Sequence, residues 1–391
     1  MKKIIILTFF IISSAGLFGT PEFSLWTGNP CASCHVNFQG GGMRKQFGWI
    51  FSKDASLLTP EQAGLQWLYN LDKTKYHKFD SLFSYGLDFR LQTFRSHKTP
   101  EAERRIIPMQ TSLYGNLKPW KWLSFDGQYN FSKDWNPQFN GQTFWSASLI
   151  FQPFEKLPAI RAGRFMPAMG LRDCDMTMLD RRMPTPDGSE TFIPPDYSEY
   201  GVELNYNYDD WIHVNAGVFD SENLKESADQ QFFGFQFFPY DHNPSFTMRF
   251  VLFPEMLIEG FPAMYFGASA MLNGDLLFNN AYIGAAPYDN LHFYAKYAYS
   301  NKPHVRLTNA LILGASYIPF KGVVLGARAE HGETDWYLDL GSYRTTFKTT
   351  QFVANAKIFV LPYIELIPEY RYVIAEEYKS LRWALQLHLF Y

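Results

Sequence analysis

Five consecutive residues carry the most specific chemistry in this chain. Cys31-Ala32-Ser33-Cys34-His35 is a C-x-x-C-H motif. Two thiols three positions apart can reach the two vinyl groups of one haem and bond to it as thioethers. The adjacent imidazole then lies beneath the iron as proximal ligand. Two other chemistries share part of the pattern. A thioredoxin-like C-x-x-C redox pair needs a βαβ surrounding and does not need the histidine. A zinc site wants two more ligands at close spacing, and none follows. The motif therefore predicts one covalently bound haem c, held by Cys31, Cys34 and His35. For the sixth iron position the same segment offers His77 and Met43. Against those roles stand plainer ones, a linker residue for His77 and packing for Met43. The position can also be open, or completed by the rest of the chain.

The elements around the motif are few. Residues 16–78 form a small head with few aliphatic runs. A segment this short buries a marginal core unless something staples it, and the haem is the staple. Gly40-Gly41-Gly42 allows a tight backbone path beside a porphyrin. Met43 to Phe51, and a second stretch opened by Thr59-Pro60-Glu61-Gln62, predict two short helices, with Thr59 as N-cap and Pro60 at the first helical position.

Ahead of the head, Met1-Lys2-Lys3 precedes an apolar run from Ile4 to Ile12 and then small residues. That order predicts a secretory signal peptide over residues 1–15, cleaved before Gly16; an uncleaved anchor is the alternative. No later stretch approaches the roughly 20 apolar residues of a membrane-spanning helix. An exported chain of this kind enters a membrane only as strands.

From Ser81 onward the chain alternates. Phe83, Tyr85, Leu87, Phe89 and Leu91 lie on one face, Ser84, Gly86, Asp88, Arg90 and Gln92 on the other. Leu123 to Phe131 and Leu291 to Ser300 repeat the pattern, and so does Trp383 to Tyr391, where the chain ends on Phe390-Tyr391. The composition agrees: aromatics make up 18% of the 391 residues, yet mean hydropathy is −0.22. A soluble β-protein also alternates, but its apolar face must be covered by a second layer. Here the polar face holds too many charges for a packed core. The prediction is an all-β fold: a 16-stranded antiparallel transmembrane β-barrel over residues 79–391, with the small, mainly α haem segment in its lumen. Candidate strands number about 17, and an even count requires treating residues 254–275 as one strand plus a loop. Short turns near residues 119, 209, 321 and 362 alternate with longer loops over 95–107, 133–142, 166–198, 220–230 and 332–348. Net charge is −3, with pI near 6.3, which offers no basic field for nucleic acid.

Sixteen strands enclose an aqueous lumen. Asp88, Arg90, Asp126, Arg249, Lys296, Arg328, Lys357, Glu365, Glu369 and Arg371 are expected to line it, mostly as a solvated wall. The longest loop holds Cys174 among Asp173, Asp175 and Asp180, with Met176 and Met178 nearby. Carboxylates with soft sulfur could bind a transition metal. The favoured reading is a loop folded into the pore as a constriction and held by Arg–Asp pairs.

The stretch from Glu22 to Trp49 resembles the fused outer-membrane cytochrome–porins, including the iron oxidases of iron-oxidising bacteria. The shared features are Phe23 to Gly28, Cys31 to His35, Phe38, and Phe47-Gly48. Arg161 to Gly170 is similar to a common porin strand-and-loop entry. The Gly40-Gly41-Gly42 run and Cys174 depart from the family pattern. The terminal Phe390-Tyr391 resembles the recognition signal of bacterial outer-membrane proteins. The resemblance implies electron transfer across the outer membrane of a bacterium, with the head on the periplasmic side or inside the lumen. Extracellular Fe(II) or another donor would supply the electron, and a periplasmic soluble cytochrome would collect it. The barrel's other partner is outer-membrane lipid. Two alternatives remain: outward electron delivery, and a diffusion porin whose small cytochrome head is a plug.

Overall fold

The computed structural model describes residues 21–27, 29–67, 82–96, 105–132, 145–154, 156–171, 175, 178–185, 188–191, 198–223, 244–256, 258, 261–303, 306–338, 343–376 and 378–391. The leader, the head–barrel boundary near residue 78, His77, Asp173, Cys174 and Met176 lie outside them.

Among the described residues four short helices come first: α1 (Pro21–Thr27), α2 (Cys31–Cys34), α3 (Gln46–Asp54) and α4 (Pro60–Ala63). Strands follow: β1 (Phe83–Ser96), β2 (Arg105–Trp120), β3 (Leu123–Asn130), β4 (Trp145–Phe151), β5 (Ala159–Phe165), β6 (Arg182–Thr185), β7 (Gly188–Thr191), β8 (Glu199–Tyr208) and β9 (Ile212–Phe219). The rest are β10 (Ser245–Leu252), β11 (Met264–Asn273), β12 (Leu276–Tyr288), β13 (Leu291–Lys302), β14 (Arg306–Phe320), β15 (Val323–Leu338), β16 (Tyr343–Leu361), β17 (Ile364–Ala375) and β18 (Lys379–Phe390). All but β6 and β7 join one closed antiparallel barrel of 16 strands. β1 and β18 close it, in register from Asp88↔Phe390 to Ser96↔Arg382. At the seam Leu87 and Tyr391 exchange backbone hydrogen bonds of 3.0 and 2.8 Å. The ambiguous region resolves as expected, into a turn with a 3₁₀ segment at Pro254–Met256 followed by the single strand β11.

Alternation decides the faces. In β1, Ser84, Asp88 and Arg90 are buried inward, while Phe83 and Leu87 are exposed outside. The outer surface carries Leu113, Phe125, Val202, Met248, Phe293 and Leu311 at mid-strand, all exposed. A continuous apolar exterior on a closed barrel is the surface of a chain that stands in a bilayer. Near the short-turn end large rings cluster, with Trp120 stacked on Trp122 at 5.3 Å and Phe154, Tyr288 and Phe320 exposed. One predicted loop is shorter than expected: 332–348 is mostly strand, because β15 and β16 continue in register up to Leu338↔Tyr343.

The lumen is not simply water-filled, and this corrects the expectation of a mostly solvated wall. Inward positions turn apolar in three patches. Ile318, Val324, Phe359 and Phe390 receive Ala55, with Phe23, Trp26 and Phe51 packed against them. Val251, Phe253, Tyr265 and Tyr282 receive Leu25 and Leu171. Met271, Leu276, Phe278, Ala298 and Ala310 receive Met169 and Leu179. Two inserts therefore occupy the barrel: the head, and the long loop between β5 and β8. Burying such side chains contributes roughly 1.5–3 kcal/mol each, which explains why inward positions abandon polarity here.

Candidate functional site

The C-x-x-C-H motif folds as one helical turn. Cys31 and Cys34 are the ends of α2, both buried, and no disulfide joins them. His35 follows at the C-cap, its amide donating to Cys31 O at 3.0 Å, and its side chain is 7% exposed. After the turn the chain reverses. Gly40, Gly41 and Gly42 have φ of 89°, 71° and 69°, a left-handed run that residues with a Cβ adopt only at a cost of about 1–2 kcal/mol each. The reversal pairs His35 with Arg44 in a short antiparallel bridge. Val36 N donates to Met43 O at 3.0 Å, and Lys45 N to Cys34 O at 2.9 Å. So the predicted helix from Met43 starts later than expected, at Gln46, because residues 43 and 44 are spent on the bridge. The second helix begins as predicted. Thr59 forms a capping box with Gln62, Pro60 opens the helix and Gly64 closes it at φ 67°.

Glycines shape the space around both sulfurs. A Cβ on Gly40 would stand 3.5 Å from Cys31 Sγ. A Cβ on Gly48 would stand 2.5 Å from Cys34 O and 3.1 Å from Cys34 Cβ. Helix α3 can lie on the second cysteine only because residue 48 lacks a side chain. A small cleft of about 30 Å³ opens on the far side of the glycine run, beside Gly41, Gly42 and Met43, walled by Tyr114, Gln128 and Phe165; the motif itself does not line it. Paired buried thiols, an adjacent histidine and a glycine cradle fit a covalently attached tetrapyrrole. They do not fit a thiol–disulfide centre. Burial, with Cys31 alongside, pushes the Cys34 thiol up to about 12 although Arg44 and Lys45 pull it down. The attacking thiol of a redox pair is shifted the other way.

Of the two sixth-ligand candidates, Met43 is 3% exposed and its sulfur faces the wall: a Cβ on Gly86 of β1 would stand 3.3 Å from Sδ. Its observed contacts are packing contacts. His77 lies outside the described residues.

Besides the apolar patches, the head is fastened to the wall and to the long loop by specific contacts. Trp49 stacks near Tyr363 and Tyr391, with centroids 5.6 and 6.0 Å away. Leu57 N donates to Phe359 O at 2.8 Å. Gln39 bonds to the long loop: its Nε2 donates to Met166 O at 3.0 Å and Pro167 O at 2.9 Å, and its Oε1 accepts from Met169 N at 3.3 Å. The loop in turn grips the wall. Asp175 pairs with Arg328 and with Arg371, the latter at 2.6 Å, and Asp180 pairs with Lys296. Arg249 donates to Gly170 O at 3.0 Å. The loop is folded into the lumen as expected, but among the described residues what holds it is pairing of its Asp175 and Asp180 with wall cations rather than Arg–Asp pairs of its own. Among the described residues no group of three or more His, Cys, Asp or Glu converges as a metal site.

The other expected lumen residues are also inside. At the base of the lumen His388 stands between Asp88 at 2.8 Å and Glu365 at 2.9 Å, and Asp88 also takes Arg90 at 3.3 Å. Arg161 reaches Asp126 at 3.2 Å, and Arg371 reaches Glu369 at 2.9 Å. Sequence reasoning missed Gln39 and Arg44. Neither belongs to a motif, and their partners lie 44 or more positions away. The one local signal was their place on either side of the glycine run.

No protein-family model matches this chain, and neither does any curated protein. Solved structures do match in fold. OprB of Pseudomonas putida, in a high-pH structure, superposes with a TM-score of 0.57 at 12% identity, over 87% of this chain and 99% of its own. The outer-membrane channel DcaP of Acinetobacter baumannii gives 0.54 at 12% identity, over 79% and 97%. The barrel is thus porin-like in architecture, and at such identity the likeness extends to the fold alone.

Proposed function

We infer that this protein carries electrons across a bacterial outer membrane through one c-type haem held inside a porin-like barrel. The observation that carries the reading is the place of the motif: Cys31, Cys34 and His35 are buried within the lumen, under a helix that only Gly48 admits. Cys31 and Cys34 would hold the group by thioether bonds, and His35 would ligate its iron. The bound haem would supply a one-electron centre partway through an apolar band about 25 Å tall. The barrel excludes lipid, the loop narrows the outer approach, and aromatic packing keeps the head at the short-turn end. In this reading extracellular Fe(II), or another external reductant, delivers the electron. A soluble periplasmic cytochrome collects it. The outer-membrane setting rests on the apolar exterior and on the outer-membrane proteins that share the fold. The head is short because the barrel wall supplies the apolar cover it lacks.

A second reading is favoured by the loop clamp of Asp175 and Asp180, which also suits a diffusion porin narrowed at its eyelet with the head as plug. One experiment separates the two. The oxidised protein in detergent is scanned in the visible range before and after Fe(II), at neutral and acid pH, beside Cys31→Ala with Cys34→Ala. Sharp reduced c-type bands on Fe(II) addition, and loss of the haem stain on a denaturing gel in the double variant, are expected. Reduction by dithionite alone would redirect the reading to outward delivery or to the plug. A haem stain retained by the double variant would sink the attachment site.

A further inference from the structure

Arg44 is the least satisfied cation in the described lumen. Its Nη1 is buried and has no hydrogen-bond partner. Its Nη2 stands 3.9 Å from Asp88 Oδ2, beyond hydrogen-bond reach. Asp88 is already engaged by His388 at 2.8 Å and by Arg90 at 3.3 Å. A guanidinium carries five donors in a fixed fork matched to a carboxylate, and leaving buried donors unmade costs about 1–3 kcal/mol. Nothing about packing requires this. The face of Phe390, 4.9 Å from Arg44 Cζ, would accept a neutral side chain equally well.

The position is specific. Arg44 is the bridge partner of His35, so the two side chains leave the ribbon on one face. Beside it, among the described residues, stand Asp88 of β1 and Phe390 of β18; Asp88 is shared with Arg90 and His388, His388 also meets Glu365, and Lys45 is spent on Ala32 O at 2.8 Å. Asp88 is thus already shared, and Arg44 Nη1 stays without an acceptor.

We propose that Arg44 binds a propionate carboxylate of the haem, with Nη1 as donor and Asp88 and Phe390 holding the guanidinium in place. The inference rests on the haem reading above. It makes Arg44 a cofactor-binding residue. A cation fixed beside the ligated iron disfavours the ferric state and raises the reduction potential.

The test uses purified full-length holoprotein in detergent, compared with Arg44→Leu and Arg44→Lys. Midpoint potential is read by spectroelectrochemistry, and the propionate bending band by resonance Raman. Arg44→Leu should lower the midpoint, with the ferric-to-ferrous ratio at the wild-type midpoint rising roughly tenfold, about 59 mV for a one-electron couple. Its propionate band should shift. Arg44→Lys should recover most of the potential while the band still moves, because the charge stays and the fork is lost. If Arg44→Leu does not fold, the Arg44→Lys band decides alone. Full haem loading with an unmoved band and an unchanged midpoint would overturn the assignment. Wild-type protein without covalent haem would overturn the electron-carrier reading instead, and that result is visible before any variant is made.

Discussion

The two inserts fill one lumen with different shares of ring packing and charge. The head is seated on rings: Phe23, Trp26 and Phe51 against Phe359 and Phe390, and Trp49 against Tyr363 and Tyr391. Among the described residues its one ion pair with the wall is the long Arg44–Asp88 contact at 3.9 Å. The loop buries Met169, Leu171 and Leu179 against apolar wall positions, but it is also fixed by charge. Asp175 and Asp180 reach three wall cations, Glu330 accepts from Leu179 N at 2.7 Å, and Glu203 accepts from Ala168 N at 2.8 Å. Ring burial stabilises outright and tolerates small shifts. Buried ion pairs return little beyond their desolvation cost, yet they fix geometry tightly. The head is thus held strongly, and the loop is held in one particular place.

Removing a ring from the first seat should have the largest effect. Trp49 is 4% exposed, and Trp49→Ala should cost about 3–5 kcal/mol at its site. The check is thermal loss of the head's near-ultraviolet dichroism, or of the haem band where haem is present. Protease protection of the loop should stay at the wild-type level. Equal loosening of both inserts would break the distinction between the two seats.

Asp175→Asn attacks the second seat. It strips the shared carboxylate from Arg328 and Arg371 and leaves two guanidinium groups facing each other. Breaking a buried pair costs about 3–5 kcal/mol. The effect here belongs at or below the lower end, because the Asp175 side chain keeps 21% exposure. The loop should become cleavable and single-channel conductance should rise, while the melting of the head holds.

How far this was readable from sequence follows the same divide. The barrel was legible strand by strand, because period-two alternation is local and a slip of one residue would turn every side chain to the wrong face. The 254–275 ambiguity resolved for the same reason: only residues 264–273 sustain the pattern. The C-x-x-C-H turn and the Thr59 cap were legible because each is complete within five residues. The seats were not. Phe359 and Phe390 look like more of the same aromatic strand, and only their parity with Lys357 and His388 shows that they point inward. Reading that parity would have marked where something apolar docks. Gln39 and Arg44 left no pattern, since their partners are brought to them by closure of the barrel.

Gln39→Ala tests the joint between the two seats. It removes one side chain that satisfies two carbonyls and an amide of the loop, all next to the constriction. A lost buried network of this kind costs about 1–3 kcal/mol. Head and loop should loosen together, each less than in its own variant. A change confined to the loop would mean that the head does not depend on it.

The smallest effect belongs to a residue in neither seat, and it serves as the control. Glu255 lies in the turn between β10 and β11, outside the membrane-spanning strands, where Met264 N donates to its Oε2 at 3.2 Å. Burial pushes its carboxyl up to about 7, although that hydrogen bond pulls the other way. The folded turn therefore holds a proton that the unfolded chain releases near pH 4.3. The stabilisation is complete below that unfolded value, declines as pH rises, and is gone once pH passes about 7. Glu255→Gln, which cannot ionise, should remove the slope, so the variant gains on the wild type between pH 5 and 8. The comparison is proteolytic cleavage of the turn at the two pH values. The seats of head and loop should respond identically in the two proteins. A wild-type-to-variant difference that stays constant with pH would mean that the turn does not hold the proton, and the gap between β10 and β11 would then be open to water.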